Sequence, residues 1–483
     1  MRRKTGRAAA GAILVLAVAG CGDDGSEQTG SGNPYLIKDI VPGPGPSAPD
    51  DFTLSGRFTY FRAFDATHGR EIWRTDGTEA GTMLVRDIIP GPEGLNDTIN
   101  LTDVNGTVFF TVTDEEHGTE LWKTNGTAAG TVLVKDINPA SPEVTPPFRG
   151  SSYPSLLTNV DGRLFFVACD EEHGHELWMS DGTQAGTRLV KDILPGPGGT
   201  TESNVCLGQT PRPSLLTPFN GVLYFIHDVP QFGRELWRSD GTADGTYLLK
   251  DTLPGPNPPS APTMGTGPAP PRTAVVKGML FFPIRSDLWK TDGTGEGTVP
   301  VTDRFPWLLT GSGEFAFFAS GDGLWRTDGT PAGTLFLHPL EFALTLRFSN
   351  RFSEMRGASS GVFFDAAETG LGYEPWFSDG TPEGTHLIED INPGTSSSYP
   401  QSAVWYGRRV YFLANDAQNS WQLWSANDAG EDARRLTEIT NVVSPLERQD
   451  EAPFSVGAGP NGIVFSARDQ EHGVELWGLN PRQ

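Results

Sequence analysis

Ser155-Leu-Leu-Thr-Asn-Val160, Gly162-Arg-Leu-Phe-Phe-Val-Ala168, Gly174-His-Glu-Leu-Trp-Met-Ser-Asp-Gly-Thr183 and Gly186-Thr-Arg-Leu-Val-Lys-Asp-Ile193 follow one another almost without interruption. Each is a short extended run. Between them stand Asp161-Gly162, Glu172-His173-Gly174 and Asp181-Gly182, and Asp-Gly between apolar runs is a strong hairpin signal because glycine accepts positive φ. Connections this short allow only antiparallel neighbours, so the stretch predicts a four-stranded meander.

The same unit recurs along the chain. Trp73, Trp122, Trp178, Trp237, Trp289, Trp325, Trp376, Trp424 and Trp477 mark nine copies at spacings of 36 to 59 residues. Seven copies keep two glycines four apart in the third turn, as in Gly77/Gly81, Gly182/Gly186 and Gly380/Gly384. This pattern predicts a loop with two special backbone positions, tied by threonine hydroxyls. The eighth copy degrades to Ser425-Ala-Asn-Asp-Ala-Gly430, and the ninth stops soon after Trp477.

The second run carries adjacent aromatics, including Phe109-Phe110, Phe165-Phe166, Tyr224-Phe225, Phe281-Phe282 and Phe317-Phe318. Successive strand residues point to opposite faces, so both faces of this strand must be buried. A small sheet covered on both sides and repeated about every 50 residues describes a propeller blade packed between two others. The ends support closure. Tyr35-Leu-Ile-Lys-Asp-Ile40 copies the fourth run, as in Leu189-Val-Lys-Asp-Ile193, and the ninth unit lacks that run. The expected fold is therefore all-β, a single large β-propeller of about nine four-stranded antiparallel blades closed by an N-terminal strand that completes the last one. Two smaller rings divided at the proline-rich stretch 254–271 are the alternative. The fourth unit argues against them, since it already owns a last strand in Tyr247-Leu-Leu-Lys-Asp251.

Glu120-Leu-Trp-Lys-Thr-Asn-Gly-Thr127, Glu176-Leu-Trp-Met-Ser-Asp-Gly-Thr183 and Glu235-Leu-Trp-Arg-Ser-Asp-Gly-Thr242 resemble the E-L-W-x-x-D-G-T repeat proteins of Gram-negative bacteria. The resemblance implies an exported, often lipid-anchored repeat protein without an assigned activity. The chain departs from the pattern at Asp287-Leu-Trp289, Gly323-Leu-Trp325, Glu374-Pro-Trp376 and Gln422-Leu-Trp424.

Composition agrees with turns and a large core. Of 483 residues, 59 are Gly and 39 Pro, which starves helices, while 28 Phe, 12 Trp and 9 Tyr exclude a self-solvating disordered chain. With 36 basic and 60 acidic residues the formal charge is −24. Nucleic acid is therefore not an expected partner, since a phosphate binder needs a basic patch. The dense basic cluster, Arg2-Arg3-Lys4 with Arg7, opens a segment that continues as a small and apolar run from Ala8 to Gly20. That run is too short to span a bilayer and suits a signal peptide.

Leu16-Ala-Val-Ala-Gly-Cys21 resembles a bacterial lipobox, which implies acylation of Cys21 and a membrane partner through that lipid. An ordinary signal peptide with a chance cysteine is the other reading. Gly22 rather than Asp after the cysteine implies, by the same resemblance, the outer membrane. The expected organisation is signal peptide 1–20, flexible tether 21–34 and propeller 35–483, a monomer.

No catalytic spacing stands out. His68, His117, His173 and His472 each precede a glycine in the second turn, and their repetition assigns them to structure. Asp114-Glu115-Glu116 and Asp170-Glu171-Glu172 beside two of them lack the alternating oxygen pattern of a calcium loop. The repeated glutamate of the third run is either one of a ring of carboxylates or satisfied by backbone donors or by the Lys/Arg of the neighbouring fourth run, such as Lys135 or Lys191. His175, His227, His338 and His386 are unrepeated but sit in no nucleophile, metal or phosphate motif. No cofactor, metal or catalytic residue is expected. Cys169 and Cys206 are candidates for one disulfide in an oxidising envelope, or for two buried thiols. Three functions follow: a surface module whose rim or long loops, including 194–213 and 254–272, bind protein or glycan without catalysis, an envelope hydrolase or lyase with a site at the channel mouth, or a structural envelope component.

Overall fold

The computed structural model describes residues 32–95, 99–139, 150–196, 206, 211–254, 273–342, 354–416, 421–437, 455–469 and 471–481. The signal peptide, Cys21, most of the tether, and most of the long segments 194–213 and 254–272 lie outside them. The described strands form nine four-stranded antiparallel sheets. Blade one is Asp50–Ser55, Phe58–Asp65, Gly69–Thr75 and Met83–Leu84. The innermost strands of blades two to eight are Thr102–Val104, Ser155–Val160, Ser214–Phe219, Ala274–Val276, Leu308–Ser312, Met355–Gly357 and Gln401–Tyr406. Blade nine takes three strands, Val456–Gly459, Gly462–Asp469 and Gly473–Leu479, from the C-terminal end. Its fourth is Tyr35–Lys38, which pairs antiparallel with Gly473–Leu479 through Tyr35–Gly478 and Leu36–Trp477. The shortened units around Trp289 and Trp325 are complete four-stranded blades.

The core lies between blades rather than within them. Nine apolar clusters each join two consecutive blades, and the one holding Ile37, Val464 and Leu476 with Phe61 and Trp73 joins blade nine to blade one. The chain is a closed nine-bladed β-propeller. Phe109 packs toward blade three and Phe110 toward blade one, so adjacent aromatics serve opposite interfaces. Phe110, Phe166, Phe225 and Phe282 are wholly buried, each contributing about 1.5–3 kcal/mol. Tyr60-Phe61 occupies the same place in blade one. Each cluster also takes in one of the nine repeat tryptophans, packed on the preceding blade, as Trp122 is on Tyr60 and Ile72.

The third turn departs from the expectation in one respect. Its first glycine has positive φ, +87° at Gly182 and +91° at Gly241, but the second does not. Gly186 is required for close approach, because a Cβ there would stand 2.1 Å from Asp181 Oδ1. That carboxylate accepts from Thr183 Oγ1 and Thr183 N, Thr183 Oγ1 in turn accepts from Gly186 N, and the Thr187 hydroxyl bonds Ser180 Oγ across the turn.

Candidate functional site

Three sets of residues compete for function: the repeated glutamates, the repeated histidines, and the residues facing the channel.

The glutamates are latches. Glu120 is wholly buried and accepts from the backbone N–H of Ile137, Asn138 and Ser152 and from Ser152 Oγ. It thus holds both ends of the connection leading from blade two to blade three. Glu374 does the same with Ile391 and Ser398. Glu475 reaches Ile40, Val41 and Ser47, so it fastens the C-terminal blade to the N-terminal segment. Burial pushes Glu120 up to about 8 and Glu475 to about 7, against the opposing effect of these donors. Of the two expected sources of donors the backbone is the one used, and Lys135 and Lys191 do not meet the glutamates. Their Nζ atoms donate to Thr187 O and Thr246 O, in the third turn of the following blade. Glu235 alone of these glutamates takes a cation, Arg285 at 3.0 Å.

The histidines are turn braces. His68, His117, His173 and His472 each place Nδ1 2.7–3.0 Å from the aspartate three residues earlier. The unrepeated histidines do not converge. His227 is wholly buried against Trp237, and burial pushes it down to about 4. His338 Nε2 meets Glu368 Oε1 at 3.2 Å. His386 faces the turn carbonyls of Gly384 and Gly430. Cys169 and Cys206 are joined by a disulfide with Cα atoms 5.6 Å apart, which ties blade three to the segment ahead of blade four.

The channel has a different character. A cavity of about 320 Å³ opens among the innermost strands of blades seven, eight, nine, one and two, lined by Asp51, Phe52, Thr53, Asn100, Leu101, Glu354, Arg356, Ser402, Ala403, Ser455 and Val456. It lies at the beginning of these strands, on the side where one blade connects to the next. Three lining residues, Asp51, Asn100 and Ser402, have φ of +56°, +50° and +55°, a left-handed conformation that non-glycine residues seldom adopt. At Asp51 and Ser402 it coincides with a β-bulge, which re-aims a side chain. The sequence reasoning missed these residues. Their signal was present as Ser47-Ala-Pro49 and Ser398-Tyr-Pro400, which lead into two of the bulged strands.

Charge at the cavity is mixed. Behind the wall, buried Asp50 receives Arg62 Nε and Nη2 at 3.0 and 2.9 Å and Arg70 Nη2 at 2.9 Å. Asp51 Oδ2 stands 3.4 Å from Arg62 Nη2. Burial, then Asp50, pushes the Asp51 carboxyl above its usual range, against Arg62 and Arg70. Three blades away round the ring, Glu354 Oε2 accepts from Ala403 N at 3.1 Å and lies 3.7 Å from Arg356 Nε. None of these residues belongs to the repeated motif. Among the described residues no group of three or more His, Cys, Asp or Glu has the arrangement of a metal site.

No family model matches the chain, and no curated protein matches it. Among solved structures it is similar to puromycin hydrolase, at 14% identity over 90% of this chain and 60% of that one, with a TM-score of 0.38. It is also similar to the protein lmo1340 from Listeria monocytogenes EGD-e, at 10% identity over 72% of this chain and 98% of that one, TM-score 0.37. A third likeness is to the β-propeller domain of the Trilobed protease from Pyrococcus furiosus, at 9% identity over 82% of this chain and 100% of that one, TM-score 0.34. The chain therefore spans about three fifths of the length of puromycin hydrolase.

Proposed function

We propose that this protein is a lipid-anchored envelope module whose ligand site is the channel cavity, working by binding rather than catalysis. One observation carries the binding site: residues that break the repeat, Asp51, Glu354 and Arg356, line one cavity. The repeated carboxylates and imidazoles are consumed by latches and turns. The left-handed bulge recurs in other blades, where Leu156 and Leu215 fill it, so the backbone there needs no carboxylate, and an aspartate at that place in blade one and a Glu–Arg pair in blade seven are departures in side-chain chemistry alone. The test is a panel of glycans and peptides presented to the mature chain and to Asn100→Trp, which fills the cavity. Signals lost in the variant support the site, and signals equal in both overturn it.

The hydrolase reading is favoured by one feature, a raised Asp51 carboxyl in the same cavity as Glu354. Mass spectrometry of the panel decides, since a binding module returns its ligands uncleaved. Anchoring rests on the sequence around Cys21. Cys21→Ala is expected to move the protein from the membrane pellet to the soluble fraction, and a variant that stays in the pellet removes the anchor.

A further inference from the structure

We infer that the channel cavity takes a short ligand carrying both a carboxylate and an ammonium group, such as a free peptide of two or three residues. This rests on the cavity's being the binding site and adds the chemistry of what enters it.

Arg356 is the cation of the cavity wall. Among the described residues its guanidinium makes no hydrogen bond: the nearby Glu354 oxygen is 3.7 Å from Nε and already accepts from Ala403 N. The Arg356 side chain is 39% exposed and lines the cavity. An arginine fork with free Nη atoms is matched to a carboxylate, which it grips through two parallel bonds. On the far side of the arc, Asp51 keeps 39% of its side chain exposed, and its contact with Arg62 at 3.4 Å is looser than those Asp50 receives. Asp51 is thus an acceptor for a cation, and Glu354 adds a second negative group beside the arginine.

The two signs stand on different blades, with Ser402 and Ser455 on the blades between them and Asn100 beyond Asp51. These neutral side chains suit the N–H and C=O groups of a peptide backbone. Size agrees. About 320 Å³ lies at the small end of the roughly 300–1,000 Å³ of small-molecule sites. A neutral glycan offers hydroxyls to Arg356 and Asp51 but no opposite charge, and uncompensated charge is costly once covered.

The experiment is calorimetric titration of the whole mature protein with trialanine, N-acetyl-trialanine and trialanine amide. Trialanine is expected to bind, and each blocked form to bind at least about tenfold more weakly. Arg356→Gln should abolish the difference between trialanine and its amide while leaving the penalty for N-acetylation. Asp51→Asn should do the reverse. Thermal melts of both variants check that the propeller is intact. Absence of trialanine binding, equal binding of the blocked forms, or variants that discriminate as the wild type does would each overturn the inference. If trialanine fails but another compound binds in a way that Asn100→Trp abolishes, the ligand class is wrong and the site stands. If Asn100→Trp changes nothing for any compound, the site itself is wrong.

Discussion

At the residue scale, a buried glutamate holds the connection between two blades and a pair of glycines shapes each third turn. Glu120 is a buried acceptor for three backbone N–H groups and one hydroxyl. Glu120→Ala leaves those donors without partners, at about 1–3 kcal/mol each for a buried unsatisfied group. Urea denaturation is expected to show a loss of at least about 3 kcal/mol, and a loss below about 1 kcal/mol would mean that water replaces the carboxylate. The third-turn glycines fail for different reasons when substituted. Gly182→Ala forces a side chain into φ of +87°, whereas Gly186→Ala drives Asp181 off Thr183. Each is expected to cost roughly 1–3 kcal/mol. In Gly186→Ala the Asp181 carboxyl, now held low by Thr183, should return to the ordinary aspartate range, which NMR titration would detect. The glycine pair was legible in sequence as a spacing; the contact behind the second glycine was not, because it depends on where the Asp181 carboxylate turns.

At the element scale, the N-terminal strand decides whether the ring has an edge. Tyr35–Lys38 covers Gly473–Leu479, and Ile37 and Ile40 are buried there. Glu475 adds bonds to Ile40 and Val41. Truncation through Val41 removes two buried isoleucines, roughly 3–6 kcal/mol, and leaves an open sheet edge that invites pairing with another chain. A lower melting temperature and association in light scattering are expected. A truncated chain that stays monomeric with an unchanged melting temperature would show that the strand is dispensable. This element was legible because Leu36-Ile-Lys-Asp-Ile40 repeats the wording of the other outer strands. The bulges of the innermost strands were not. Their left-handed residues are Asp, Ser and Leu rather than one type, so no single residue marks them.

At the scale of the whole molecule, stability should depend on pH in one direction through neutrality. Folding raises Glu71, Glu374 and Glu475 to about 7 and Glu120 and Glu176 to about 8, from 4.5, chiefly through burial. The folded state then holds more protons than the unfolded state between those limits, so stability falls as pH rises from about 4.5 to 8. His68 and His472, raised above 6.5 by bonds to Asp65 and Asp469, contribute stability that is present below 6.5 and lost at higher pH, whereas His175 and His227, lowered to about 4 by burial, oppose the glutamates between pH 4 and 6.5 but are two groups against five. The turn aspartates act on the other flank. Asp181, Asp240 and Asp328 are lowered by their threonines, and their contribution disappears as pH falls below 3.8. Urea midpoints are therefore expected to peak near pH 5 and to decline on both sides, with Glu120→Gln flattening the alkaline limb. A midpoint that rises between pH 5 and 8 would contradict this account.

The amino-acid order alone determined the blades, their turns and the closing strand, because each is encoded locally and repeated: glycine where φ must be positive, adjacent aromatics where both faces are covered. Only the tertiary structure decided which departures from the repeat meet. Asp51 and Arg356 stand 305 positions apart in the chain and share one cavity only because the ring closes. Proximity across a closed ring depends on blade number, strand register and bulge position together, and no local pattern of residues carries that sum.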